Sequence, residues 1–235
     1  MRQTRSRALR TRAVTVEAKS VRRASILAAA SKLFAARDFD AISVADIATK
    51  AGLAKGTVYL YFGTKEALFL MLVAEQLENW LNDSIAGLKR VGADPARVAA
   101  AVASTLSRRP NLIRLLGLLH AVLERNAEVA SLRDFKRRLL AITTRAGAVF
   151  AEVHGLPADV GIRVTLWMHA IIVGLSQMTA TSPTLSALLV EDDSLTMFRL
   201  DFRTELQGAL TTLLAGAIAP SAKRGRGRPA TPKGV

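Results

Sequence analysis

Apolar residues recur at steps of three and four along almost the whole chain, and no stretch of useful length alternates with the two-residue period of a strand. The cleanest run is Val129, Leu132, Phe135, Leu139, Ile142, Ala146, Val149 and Val153, stopped by Gly155-Leu156-Pro157. It predicts helix 7 of nine. Helix 1 is expected over about Val21 to Arg37, burying Ile26, Leu27, Ala30, Leu33 and Phe34, with Phe39 and Ile42 closing over it. Two short helices follow, ending near Gly52 and Tyr61, and helix 4 runs from about Lys65 to Leu88 on a stripe of Leu77, Trp80, Leu81, Ile85 and Leu88. Gly92 breaks the pattern, and Asp94-Pro95 reads as an N-cap with Pro at the first helical position. Helix 5 should end near Arg109-Pro110, helix 6 should take Leu112 to Arg125, and helix 8 should span Asp159 to Thr181. A Ser-Pro loop then leads to Asp193-Ser194, expected to cap helix 9 from Leu195 to Ala219.

The second and third helices carry the sharpest local signal. Ser43 stands at an N-cap position with Asp46 three residues on, and Val44, Ile47 and Ala48 form one apolar face. Gly52 falls where that helix must stop, because glycine takes a left-handed backbone without steric cost. The next helix, roughly Lys55 to Tyr61, presents Lys55, Thr57, Tyr59 and Tyr61 outward and leaves Val58 and Phe62 to pack inward. Two helices joined by a short turn containing glycine form the helix-turn-helix, whose second helix enters a DNA major groove.

Over about residues 22–72 the chain closely resembles the TetR family of bacterial transcription regulators, through Asp46, Ile47, Ala48, Ala51, Gly52, Gly56, Tyr59, Tyr61, Phe62, Lys65, Glu66 and Leu68 at the family's spacing. One departure is Ala45, where the family often has Arg. The resemblance implies an all-α protein in which three N-terminal helices bind DNA and about six further helices form a ligand-binding and dimerisation domain. It places Ser43, Lys55, Thr57, Tyr59, Tyr61 and Lys65 in the DNA-binding set, Thr57 toward a base edge and the Tyr and Lys side chains toward phosphates. The expected divisions are a basic disordered arm at 1–19, the DNA-binding domain at 20–65, the second domain at 66–219 and a basic disordered tail at 220–235. Helix 8 is apolar on more than one face, through Val160, Val164, Trp167, Ile171 and Met178 and through Leu166, Ala170 and Val173, so it must be covered on both sides. Pairing of helices 8 and 9 with their symmetry mates would do this. A two-fold dimer then implies a palindromic operator in double-stranded DNA.

The net charge of +14 sharpens the picture at the two ends. Residues 1–23 carry eight Arg or Lys against Glu17 alone, and residues 220–235 carry five basic residues and no acid, so the interior is close to neutral. Such ends are attracted to polyanions. Lys223-Arg224-Gly225-Arg226-Gly227-Arg228-Pro229 looks like an AT-hook core, in which Arg226 and Arg228 would follow a narrow A·T minor groove. The competing reading is a basic tail with non-specific phosphate affinity. The N-terminal arm, with Arg2, Arg5, Arg7, Arg10 and Arg12, fits a phosphate-binding role or a groove-reaching one.

The chain has no cysteine, which excludes disulfides, thiolate metal sites and a Cys nucleophile. Its three histidines, His120, His154 and His169, stand in no metal-ligand spacing, and no glycine-rich phosphate loop follows a strand. An enzyme, a metal and a cofactor are therefore not expected. The greasiest run, Val164 to Met178, is interrupted by His169, Ser176 and Gln177 and reads as too short to span a bilayer, so no membrane partner and a cytoplasmic location are expected. Candidate effector contacts on apolar helix faces are Trp80, His120, Trp167, His169 and Gln177, and a cavity among helices 4–8 with few polar groups would suit a small hydrophobic effector. The expected function is a dimeric repressor released from its operator by that effector. The alternative is an effector-independent architectural protein that coats DNA with the helix-turn-helix and both tails.

Overall fold

The computed structural model describes residues 2–219, with side chains from Glu17 onward. Helices α1 (Arg2–Ala36), α2 (Val44–Ala51) and α3 (Lys55–Tyr61) form the N-terminal unit. They are followed by α4 (Lys65–Val91), α5 (Pro95–Ser107) and α6 (Pro110–Leu118), which runs on through a π-helical turn (Leu119–Leu123) and one last α-turn (Glu124–Asn126). The chain finishes with α7 (Val129–His154), α8 (Ala158–Met178), α9 (Pro183–Glu191), a 3-10 turn (Asp193–Phe198) and α10 (Phe202–Ile218). No strand occurs among the described residues. The all-α expectation holds.

Local chemistry accounts for most helix ends. At α2 a capping box forms: the Asp46 amide donates to Ser43 Oγ at 3.1 Å and the Ser43 amide donates to Asp46 Oδ2 at 2.9 Å. Bonds donated to its carboxylate by the Ser43 hydroxyl and the Ser43 amide hold Asp46 below the usual aspartate range. Gly52, at φ 69°, closes the same helix by returning its N–H to the Ala48 and Thr49 carbonyls. Thr64 caps α4, Asp94 caps α5 with Pro95 behind it, and Gly155, at φ 64°, ends α7 as expected.

Several boundaries differ from the sequence reading. The segment at 1–19, expected as a disordered arm, continues α1 as helix from Arg2. It contains neither Gly nor Pro and is rich in Arg and Ala, which favour helix. The expected Ser-Pro loop is itself a helix, α9, in which Ser182 Oγ accepts from the Leu185 amide and Pro183 takes the first turn. The cap expected at Asp193-Ser194 starts only a 3-10 turn, and α10 begins at Phe202, capped by Asp201, whose carboxylate accepts from the Thr204 amide at 2.9 Å. Apolar spacing runs unbroken through Leu195, Phe198 and Phe202, so periodicity concealed the break. Helix α8 stops at Met178 rather than Thr181, and its 21 residues are long and apolar enough to cross a membrane by length and composition, contrary to the shorter run expected. One stripe of it, Gly161, Val164, Met168, Ile172 and Ser176, is nevertheless buried against its own chain.

Helix α4 is the axis of the fold. Every residue from Ala67 to Ala74 is buried, with α1 on one side and α5, α6 and α7 on the others. Phe69 meets Phe34 and Phe39 edge-on, at ring separations of 5.6 and 4.9 Å, locking α4 to α1 and the loop after it. Helix α10 buries Leu206, Leu210 and Leu214 against α5 and α8. The closest crossing is α7 with α8, where Gly147 and Gly161 let the backbones touch. A Cβ at Gly147 would lie 2.7 Å from the backbone N and Cα of Ile162, and one at Gly161 would run into the Gly147 carbonyl oxygen.

Candidate DNA interface and effector cavity

On α3 the two inward residues, Val58 and Phe62, are buried, and Lys55, Gly56, Tyr59 and Leu60 face solvent. Thr57 and Tyr61 are half-buried beside them. The Lys55 ammonium lies 6.0 Å from the Tyr59 ring, so both sit on one exposed edge. Sequence reasoning passed over Leu60, which is 82% exposed on that helix. Gly56, one of the matched positions, lies on the same exposed edge. A Cβ there meets nothing within 4 Å, so packing inside the protein does not require glycine.

Ser43 and Lys65 stand apart from that edge. The Ser43 hydroxyl is engaged with Asp46 in the capping box, donating to Oδ2 at 2.7 Å. The Lys65 ammonium donates to the Phe39 carbonyl at 2.9 Å and the Ile42 carbonyl at 3.0 Å and lies 3.9 Å over the Phe39 ring. Two of its three protons are therefore used to fasten α4 to the α1–α2 loop. A second fastening comes from α6. Arg114 donates to the Phe34 carbonyl at 2.8 Å, the Arg37 carbonyl at 3.2 Å and Asp38 at 2.9 Å, with its guanidinium 4.4 Å over the Phe34 ring. It covers the open carbonyls at the end of α1, where a positive charge also suits the helix dipole.

The second site is a cavity of about 90 Å³ among α4, α5, α6, α7 and α8. Its wall is almost wholly apolar, including Leu77, Leu81, Ile142, Phe150, Met168 and Ile172. Of the residues expected at an effector site, Trp80 and His169 line it, with Trp80 Nε1 donating to Thr105 Oγ1 at 3.2 Å. His120 reaches the same place indirectly, its Nε2 lying 3.1 Å from Nε2 of His169. Burial and the neighbouring His120 hold the His169 imidazole below the usual histidine range. Trp167 and Gln177 lie elsewhere: Trp167 is half-exposed on the outer face of α8, and Gln177 donates to the Gly117 carbonyl in a groove beside α1. Sequence reasoning missed Ser84, 4% exposed on the α4 stripe, whose hydroxyl lines the cavity with no hydrogen-bond partner among the described residues. A serine one turn beyond Trp80 and Leu81 on an apolar face was the available signal. No group of three or more metal-ligating side chains occurs among the described residues. Arg226 and Arg228 lie outside the described residues.

A capped helix-turn-helix with an exposed second helix, mounted on a separate helical domain with its own cavity, defines a DNA-binding transcription regulator. The comparisons agree. The family model described as "Tetracyclin repressor-like, C-terminal domain" matches residues 74–221, and that described as "Bacterial regulatory proteins, tetR family" matches residues 26–72. The chain belongs to the TetR family of DNA-binding transcriptional regulators. Among curated proteins it is 37% identical over 76 residues to the HTH-type transcriptional regulator EthR of Mycolicibacterium smegmatis, covering 32% of this chain and 35% of that one. It is 35% identical over 68 residues to the uncharacterized HTH-type regulator YfiR of Bacillus subtilis, covering 29% and 33%. The chain thus spans about a third of the length of the curated relatives it matches. Among solved structures, a TetR transcriptional regulator from Rhodococcus sp. RHA1 superposes with a TM-score of 0.56 at 19% identity, over 86% of this chain and 97% of that one. The TetR family repressor AlkX from Dietzia sp. does so at 0.57 and 17%, over 83% and 94%. At these identities the likeness is one of fold.

Proposed function

We propose that this chain is a homodimeric repressor that grips a palindromic operator through α3 and releases it when a small apolar molecule enters the cavity. The observation that carries this reading is α4, which mounts the recognition helix at one end and walls the cavity with Leu77, Trp80, Leu81, Ser84 and Leu88 at the other. A ligand that favours one arrangement of that wall biases where the reading heads stand. On DNA, Lys55, Tyr59 and Tyr61 reach phosphates and Thr57 a base edge, while Ser43 and Lys65 support the helices that present them.

Dimerisation through α8 is supported by its outward apolar face, where Leu166, Trp167 and Met178 are exposed, and by the exposed Leu185, Leu188, Val190, Met197 and Phe198 of the α9 and 3-10 stretch. The partner surface expected on helix 9 moves accordingly. Leu206, Leu210 and Leu214 of α10 are buried in their own chain, so the proposed interface pairs α8 with the α9 and 3-10 stretch. Arg226 and Arg228 are proposed to hold A·T-rich minor groove beside the operator, and the protein is proposed to act in the cytoplasm.

Genome-wide mapping of bound sites followed by footprinting tests the whole. Protection of one or a few inverted repeats is expected, and broad unphased coverage would replace this reading with the architectural one. Deleting residues 221–235 should lower affinity only for operators with A·T-rich flanks. Equal loss on G·C flanks makes the tail a simple polycation.

A further inference from the structure

The wall of the cavity contains no Asp, Glu, Lys or Arg, and His169 is its one group that can gain a charge near neutral pH. That charge can only be positive. The hydrogen-bond chain around it sets where the proton would go. On the elements packed against α8, the charged and titratable groups that face His169 are His120 and Glu124, from the end of α6, and Lys136 of α7. Lys136 Nζ lies 2.7 Å from Glu124 Oε1, and His120 Nδ1 lies 3.3 Å from Glu124 Oε2. A carboxylate only accepts; in the tautomer in which His120 donates to it from Nδ1, His120 Nε2 is left as an acceptor. His169 then donates from Nε2 to His120 at 3.1 Å, and its own Nδ1 carries no proton. Lys136 pairs with Glu124 from the other side, so this network has one vacancy for a proton.

We infer that the effector is a small monocarboxylic acid with an apolar body, held in the α4–α8 cavity with its carboxylate on His169. The inference rests on the cavity being the effector site. A carboxylic acid enters an apolar cavity in its neutral form, transfers its proton to Nδ1 of His169, and remains as a carboxylate against an imidazolium. Seen from solution at neutral pH, the anion binds and one proton is taken up with it. A cationic amine finds no counter-charge on this wall. The unpartnered Ser84 hydroxyl is an independent sign that the occupant brings a polar atom with it, since a buried hydroxyl left alone is costly. The volume of about 90 Å³, set beside the roughly 150 Å³ that holds a benzene ring, selects a small acid with a short apolar chain.

Isothermal titration of the full chain with sodium hexanoate, 1-hexanol and hexylamine, at pH 6.5, 7.5 and 8.5 and in two buffers of different ionisation enthalpy, tests this. Hexanoate should bind with uptake of close to one proton, its affinity falling by about tenfold per pH unit. Hexanol should bind more weakly with no pH dependence, and hexylamine should not bind. His169→Gln should weaken hexanoate at least tenfold at pH 6.5 and flatten its pH profile, while hexanol stays within twofold and shows that the variant keeps its cavity. Hexanoate binding without proton uptake, or insensitive to His169→Gln, overturns the acid and leaves the apolar cavity as effector site. Failure of all three probes to bind overturns both.

Discussion

Replacing Gly161 with alanine adds one methyl group where α8 has no room for it. The Cβ would overlap the Gly147 carbonyl oxygen and come within 3.0 and 3.1 Å of the Ala151 Cβ and N, so two backbones must part rather than one side chain turn aside. Overpacking that side chains can absorb costs about 1–3 kcal/mol, and a backbone clash belongs at the upper end, about 3 kcal/mol. For a chain of this size that lowers the melting temperature by about 6–12 °C. The control is Gly87→Ala on α4, the same change on a helix where a Cβ meets nothing within 4 Å. It should stabilise by about 0.5–1 kcal/mol through helix propensity. Thermal and urea unfolding of both variants, followed by circular dichroism, gives the comparison. If Gly161→Ala melts within 1 °C of the parent, the α7–α8 contact is not as close as described and the reasoning fails.

Lys65→Met should destabilise the DNA-binding unit by about 1.5–3 kcal/mol through loss of two charge-assisted bonds, with little change in the salt dependence of DNA affinity. Lys55→Ala should do the reverse, leaving stability alone and reducing the salt slope by about 0.9, as read by fluorescence anisotropy on a mapped operator. Trp167→Glu should convert the sedimenting species to monomer and abolish operator binding without loss of helix content. A dimer that survives it moves the interface off α8. The capping bonds hold the Asp46 carboxyl low, so its contribution is present at neutral pH and lost as the pH falls below about 4. Ser43→Ala removes the side-chain cap, and its urea midpoint should therefore fall less than that of the parent between pH 5 and 3.

Most of the fold was legible because its signals are local. Ser43 with Asp46, Gly52 and Gly155 act within a few residues of themselves, and each does what its chemistry requires. The break before α10 was hidden for the opposite reason: Leu195, Phe198 and Phe202 keep helical spacing across a segment that is not continuous helix, and only the separate cap at Asp201 distinguishes it. Candidate site residues divided the same way. Trp80 and His169 were picked out by their helix faces and line the cavity, but that His120 meets His169 across 49 positions is a fact of packing between α6 and α8. Lys65 fits the DNA-contact pattern by spacing, yet its ammonium is spent on the Phe39 and Ile42 carbonyls, which lie 26 and 23 residues away. Sequence shows what a side chain can bond. It does not show which distant carbonyl arrives first.

The link between α3 and α4 is three residues, Phe62-Gly63-Thr64, and the two helices meet at 60° with Lys65 pinned to the loop beside them. The reading head is therefore bolted to a beam. Ser84 lies 19 residues along that beam from Lys65, about 28 Å at the rise of an α-helix. A tilt of about 7° about the Ser84 end displaces the head by about 3.4 Å, the rise of one base pair. In the proposed dimer, two heads turned this way would miss their half-sites by a full step each, with no side chain on α3 altered. The mechanical gain of α4 would then set how little the cavity wall has to move, and spin labels on the two copies of α3 would read that gain directly as a change of several ångströms between them.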